Sequence, residues 1–199
     1  MEIMATQSEI KNFLEKIKSP VQEDMRKTKI LASLSAAQAI LESGWGLSGL
    51  TKKSNNLFGI KGSYNGAYVT YPTKEWINGE YVSVNANFKK YPSWAESISD
   101  HSALFLRLPR YSNLIGEKDY KTACKNVAAD GYATSPTYAQ SLIKLIEQYK
   151  LYEWDNVTCV EFYKVDIQNV TKGDMETLTR ICEELKLTHK IEKRSGLND

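Results

Sequence analysis

Residues 30–46 read ILASLSAAQAILESGWG. The run is apolar or small on every side until Glu42, as a helix surrounded by other helices would be. Gly44 is well placed to end it. Upstream, Thr6 and Glu9 have capping-box spacing, and Ile10, Phe13, Leu14 and Ile17 follow at i, i+3, i+4 and i+7. This predicts an amphipathic helix stopped before Pro20, with helix again over about 21–43. Downstream, 50–66 is rich in Gly, Asn, Ser and Lys and reads as loop. Strand-like runs over 67–77 and 80–88 then flank Asn78-Gly79, the strongest two-residue hairpin signal. Ser93 and Glu96 form a second capping-box pair, opening a helix to about Leu108, before Pro109. Helices are also expected over 119–129 and 136–149, the latter with Ser135 as cap and Pro136 at its first position. The body is thus α+β, mainly helical with one β-hairpin.

After Trp154 the character changes. Residues 160–167 read as strand, 174–185 as helix and 188–193 as a short strand. The expected organisation is a main domain over 1–154 and a small βαβ-like module over 155–199, too short to be confidently self-standing.

With 199 residues, one well-cored domain and a small appendage fit the length. The net charge of +2 argues against a surface built for nucleic acid. Many of the 12 Tyr, 4 Trp and 5 Phe stand beside Gly, Asn and Ser, which suits a groove that stacks flat ligand faces, although core packing accounts for most aromatics in most proteins. Cys124, Cys159 and Cys182 are odd in number and lack CxxC spacing, so three free thiols from a reducing compartment are expected. The N-terminal MEIMATQSEI lacks the features of a signal peptide, and no apolar run is long enough to span a bilayer. The expectation is synthesis in the cytoplasm without membrane insertion.

Glu42 is the first candidate for chemistry. A carboxylate in the last turn of an apolar helix faces the negative end of the helix dipole among groups that disfavour its charge. Both effects raise its pKa, as a general acid near neutral pH requires. Trp45 is placed to supply an apolar wall. The alternative is a Glu that points to solvent as its helix ends, and position alone does not separate the two. Glu75 is the second candidate. With a two-residue turn, Glu75 pairs with Val82, and a hairpin beside the Glu42 helix would hold a second carboxylate across a sugar-sized cleft, as glycosidases require. An exposed hairpin Glu beside Lys74 is the plainer reading. Glu80 is a rival whose place after the turn favours solvent. A lone helical His101 is more often structural than catalytic. Nothing around Cys124 resembles a nucleophile site, two His are too few for a metal centre, and Gly59-Ile60-Lys61-Gly62 lacks the P-loop pattern.

Several short pieces stand out along the chain, beginning with Ala37-Gln38-Ala39-Ile40-Leu41-Glu42-Ser43-Gly44-Trp45-Gly46 and Asn55-Asn56-Leu57-Phe58-Gly59-Ile60-Lys61. Thr73-Lys74-Glu75 and Phe88-Lys89-Lys90-Tyr91-Pro92-Ser93 follow. Ser97, Asp100-His101, Gly131-Tyr132-Ala133-Thr134 and Tyr138-Ala139 complete the series, which spans about 30–151. Taken together, in this order and spacing, the pieces resemble glycoside hydrolase family 73, the glucosaminidase group of flagellar and autolytic wall hydrolases. The resemblance implies a lysozyme-like fold with a groove between a helical lobe and the hairpin. It implies hydrolysis of the β-1,4 bond after N-acetylglucosamine in peptidoglycan. It makes Glu42 the acid, Glu75 the helper carboxylate and Tyr132 an assisting tyrosine. Asn56, Phe58 and Gly59 match the loop flanking the groove, and Trp45 and Tyr138 join them as substrate-binding residues. His101 becomes an orienting or structural residue.

No cofactor is expected for any route: water attack aided by Glu75, a covalent route, or attack by the substrate's own N-acetyl group. The expected partner is the peptidoglycan glycan strand, with neither nucleic acid nor membrane. The lack of an export signal favours a phage-type endolysin that reaches the wall after release. Residues 155–199 would then serve wall targeting or homo-oligomerisation. The rivals are a muramidase or lytic transglycosylase on the same fold, a non-catalytic glycan-binding protein and, more remotely, a cysteine-dependent amidase.

Overall fold

Thr6 and Glu9 do close a capping box: the Glu9 amide donates to the Thr6 hydroxyl at 3.3 Å, and the Thr6 amide donates to the Glu9 carboxylate at 2.8 Å. In this computed structural model, which describes residues 5–77, 79–156 and 172–184, they start helix α1 (Gln7–Thr28). Instead of stopping before Pro20, α1 runs through it. A mid-helix proline costs about 3 kcal/mol. Phe13, Ile17 and Val21 are buried in one stripe across it, and each such side chain contributes about 1.5–3 kcal/mol. Lys16, whose carbonyl the proline cannot meet, is exposed, so water can serve it. Packing outweighs the local signal.

The helix expected over 21–43 is in fact broken. Lys29 turns left-handed at φ 63°, and α2 (Ala32–Ser43) begins after Leu31. Every residue of α2 from Ala32 to Ile40 is buried. Its Ala and Ser residues let neighbours approach closely: α1, α5 (Tyr120–Ala129), α6 (Tyr138–Gln148) and a 3₁₀ turn at Leu151–Asp155 all pack on it. Leu31 has no side chain with which to cap α2. Asp155 supplies the cap from the far end of the domain. One of its carboxylate oxygens accepts from the Ser33 amide at 2.8 Å, and the other from the Ser33 hydroxyl at 2.6 Å. Gln22 secures the same turn by donating to the Trp154 carbonyl at 3.1 Å. The chain divides into two compact units, Met1–Thr158 and Cys159–Asp199, so the expected boundary at 154/155 falls inside this clamp.

At its other end α2 closes on Gly44, which is left-handed at φ 56° and donates its N–H to the Ile40 carbonyl. Gly46 must be glycine twice over: its φ is +72°, and a Cβ there would stand 2.9 Å from the Trp94 ring.

The stretch expected as loop opens with a short helix, α3 (Gly49–Ser54). The Ser48 hydroxyl accepts from the Thr51 amide at 3.1 Å, a cap hidden in loop-like composition. The hairpin forms as expected. Strands β1 (Tyr68–Ile77) and β2 (Glu80–Lys89) pair antiparallel with Ile77 opposite Glu80 and Glu75 opposite Val82. Ser93 opens α4 (Trp94–Arg107), and a 3₁₀ turn at Pro109–Leu114 follows. Helix α6 starts two residues later than expected. Pro136 lies in the preceding turn, Thr137 takes the cap position, and the Ser135 hydroxyl accepts from the Thr137 amide at 3.4 Å. The core around α2 includes Ile30, Leu34, Ile98, Phe105, Leu142 and Ile146.

In the second unit, α7 spans Lys172–Glu184 where 174–185 was expected. Met175, Leu178, Thr179 and Cys182 are half-buried at i, i+3, i+4 and i+7. The strands expected over 160–167 and 188–193 lie outside the described residues. Among the described residues no helix is long and apolar enough to cross a membrane.

The Asp155 cap should be measurable. Asp155→Ala removes the acceptor of two hydrogen bonds to a charged group, each worth about 1.5–3 kcal/mol. Urea unfolding of the full chain is expected to lose at least one such increment. An unchanged midpoint would mean the cap is dispensable.

Candidate active site

Glu42 stands in the last turn of α2, one residue before its end. The residue is open to solvent on one side, while dense protein surrounds the other. Desolvation raises its pKa above the usual carboxylate value, and a hydrogen bond from Tyr138 partly offsets that. The position at a helix C-terminus acts in the same direction as the desolvation.

The Tyr138 hydroxyl donates to Glu42 Oε1 at 3.0 Å, and Gln38 Nε2 donates to the same hydroxyl at 3.1 Å. Gln38 and Glu42 are four residues apart, on one face of α2. With its lone pair occupied by Gln38, the Tyr138 hydroxyl is left to act as a donor. It holds one carboxylate oxygen of Glu42, Oε1, and no hydrogen bond from Tyr138 reaches the other. Burial, followed by the Glu42 charge, pushes the Tyr138 hydroxyl far up, so it stays protonated.

Tyr132 lies beside Tyr138, rings stacked 5.8 Å apart with 22° between planes. Burial first and the Glu42 charge second raise its pKa as well. Its hydroxyl is 3.0 Å from Nε2 of His101. His101 is fully buried, with Phe58 stacked on it at 3.8 Å. Burial pushes the imidazole down to about 3, so it is neutral at any ordinary pH. Glu42, Tyr138, Tyr132, His101 and Phe58 are therefore one continuous wall.

Asn56 is buried, and its side-chain amide bonds to backbone groups. Its Nδ2 donates to the carbonyls of Ile60 (2.9 Å) and Lys89 (3.0 Å), and its Oδ1 accepts from the Ile60 amide at 3.0 Å. The Asn56 side chain moulds the loop that carries Phe58 and stitches that loop to the hairpin. Gly59 is exposed on this loop with open space in front of it, as a groove rim would be. The hairpin base is also tied to α4: Lys89 Nζ and the Tyr91 hydroxyl each reach Asp100 at 2.7 Å. Glu75 occupies the outer half of β1, opposite Val82.

The Trp45 ring packs edge-on against Phe13 at 5.9 Å and Tyr149 at 4.9 Å. Tyr149 stands about 16 Å along the helical axis from Tyr138, so the indole turns toward the opposite end of α6. A left-handed backbone at Trp45 (φ 62°) sets that direction, which helical periodicity does not foresee.

Two partners escaped the sequence reading. Gln38 carried a signal, a lone amide in an apolar helix one turn before Glu42. The pairing of His101 with Tyr132 carried none, since it joins residues 31 apart in the chain. Cys124 is buried in the core, where burial pushes its thiol up to about 12, so it is no nucleophile. Among the described residues no three His, Cys, Asp or Glu side chains group as metal ligands.

The glucosaminidase family profile, described as mannosyl-glycoprotein endo-beta-N-acetylglucosaminidase, matches residues 18–151. The chain is 39% identical over 150 residues to exo-glucosaminidase LytG of Bacillus subtilis, covering 73% of this chain and 53% of that protein. It is 34% identical over 166 residues to peptidoglycan hydrolase FlgJ of Escherichia coli, covering 80% and 52%. The chain thus spans about half the length of these curated relatives. Among solved structures, the catalytic domain of the autolysin Auto from Listeria monocytogenes superposes with a TM-score of 0.71 at 36% identity, covering 77% of this chain and 91% of that one.

The Tyr138 hydrogen bond favours the ionised form of Glu42, so removing it must raise the Glu42 pKa further. In Tyr138→Phe, NMR titration of the Glu42 carboxyl is expected to move to higher pH. The variant should also lose about 1–3 kcal/mol of stability, because Gln38 is left without its acceptor. A downward or absent shift would mean that the bond does not act on the charged carboxylate.

Proposed function

The chain belongs to the glucosaminidase family, and from that membership we propose that it hydrolyses the β-1,4 bond between N-acetylglucosamine and N-acetylmuramic acid in bacterial peptidoglycan. The observation that carries this reading is Glu42 itself: a solvent-reachable carboxyl whose pKa is raised by desolvation and whose orientation is held by Tyr138. A general acid needs both properties, a carboxyl that holds its proton more tightly than a free one and a fixed direction for delivering it.

In the proposed reaction Glu42 protonates the leaving glycosidic oxygen while positive charge develops on the adjacent sugar. Glu75 is the helper carboxylate that directs water to that sugar. Support for Glu75 comes from its position on β1 and from the matching Thr73-Lys74-Glu75 piece. Tyr132 and the rim at Phe58 and Gly59 border the path of the glycan, and Tyr138 serves through Glu42. We further propose that 159–199 retains the enzyme on the wall.

Two experiments test these readings. Glu42→Gln keeps the shape of the side chain but not its proton, and clearing of purified Gram-positive walls is expected to fall about 10²–10⁴-fold. The wild-type digest should carry N-acetylglucosamine at its new reducing ends. Muramic acid or anhydro-muramic ends would instead identify a muramidase or a transglycosylase, and equal clearing by both proteins would remove Glu42 from the mechanism. For the second unit, the fragment ending at Thr158 keeps the Asp155 cap. It should sediment from wall suspensions less than the full chain does, with both monomeric in sedimentation velocity; equal wall binding would end the retention proposal.

A further inference from the structure

His101 is a buried titratable group that the proposed reaction does not use. We propose that it is a positioning residue: proton on Nε2, it donates to the Tyr132 hydroxyl and so turns the Tyr132 O–H, as a donor, toward the Glu42 side of the groove.

The imidazole has no freedom to rotate. Phe58 lies parallel to one face at 3.8 Å with 9° between planes, and Phe105 meets it at 4.5 Å and 70°. Its Nε2 is 3.0 Å from the Tyr132 hydroxyl, while Nδ1 is buried without a partner. A neutral ring in this place has two choices. With the proton on Nδ1, a buried N–H would lack an acceptor, and the Tyr132 proton would be drawn back toward the histidine. With the proton on Nε2, only a ring lone pair goes unpaired, and Tyr132 keeps its own proton for another acceptor. Orphaned buried N–H groups are rare in folded proteins because their desolvation is not repaid.

Tyr132 stacks on Tyr138, whose hydroxyl donates to Glu42 at 3.0 Å, so the two rings share the Glu42 wall. In the Nε2–H arrangement the Tyr132 proton is released from the histidine; in the other it is held on Nε2. Gln38 treats Tyr138 in the same manner, donating to its hydroxyl and leaving that O–H for Glu42. Gln38 and His101 thus each meet one of two stacked tyrosines at its hydroxyl. Tyr132 thereby presents a ready hydrogen bond to a glycan oxygen or the attacking water. That consequence rests on the glycosidase reading; the tautomer does not.

The test has two arms. Long-range proton–nitrogen NMR on protein with labelled histidine reads the tautomer directly. The His101 signals are assigned by their loss in His101→Gln, which leaves the chain's other histidine, His189. A proton on Nε2 and a bare Nδ1 are expected; a proton on Nδ1, or a charged ring at neutral pH, overturns the proposal whether or not the protein cuts peptidoglycan. In the kinetic arm, His101→Phe keeps an aromatic ring but lacks the donor. It is expected to lower kcat about tenfold with KM little changed, the size of one hydrogen bond lost in the transition state. His101→Gln, with an amide N–H in place of Nε2–H, should recover most of that loss. Circular dichroism melts confirm that both variants are folded, and equal loss in both would reduce His101 to a packing role.

Discussion

The burial of α2 on every side is the constraint on which the rest of the molecule depends. A helix of small and apolar residues enclosed by α1, α5, α6 and the Leu151–Asp155 turn cannot shift or rotate without opening voids. Its last turn is therefore a fixed platform. Glu42 emerges there, where the enclosing helices end and solvent begins. A loop would give the same carboxylate reach without direction.

Enclosure creates a second problem, because a buried helix start has amide groups with no partner. Leu31 cannot serve them, so Asp155 does, across 122 residues of chain. The clamp makes the 3₁₀ turn part of the first unit and pins the end of that unit to the same helix that carries Glu42.

The site is also economical in its polar groups. Gln38, Tyr138, His101 and Tyr132 spend their buried hydrogen bonds on orienting one another around Glu42. Asn56 uses its amide to hold the Phe58 loop against the base of the hairpin. The hairpin base, the loop, α4 and the Glu42 wall are consequently joined by direct contacts. Glu75 lies beyond that braced base, in the outer half of the strand.

Local rules reach about four residues along the chain, and what they reach was legible. The apolar period of α2, the Gly44 stop, the Thr6–Glu9 box, the Asn78-Gly79 hairpin with its register, and the position of Glu42 at a helix end could all be read from adjacent residues. Likeness of motif extended that reading to Tyr132 and the Phe58 loop. What tertiary structure alone decided concerns groups brought together from distant segments. Pro20 remains helical because the Phe13, Ile17 and Val21 stripe is buried, which local propensity cannot weigh. Trp45 packs on Tyr149, Asn56 is buried, and Tyr138 meets Glu42 from 96 residues away. Such contacts follow from how whole elements pack, and no local period encodes them.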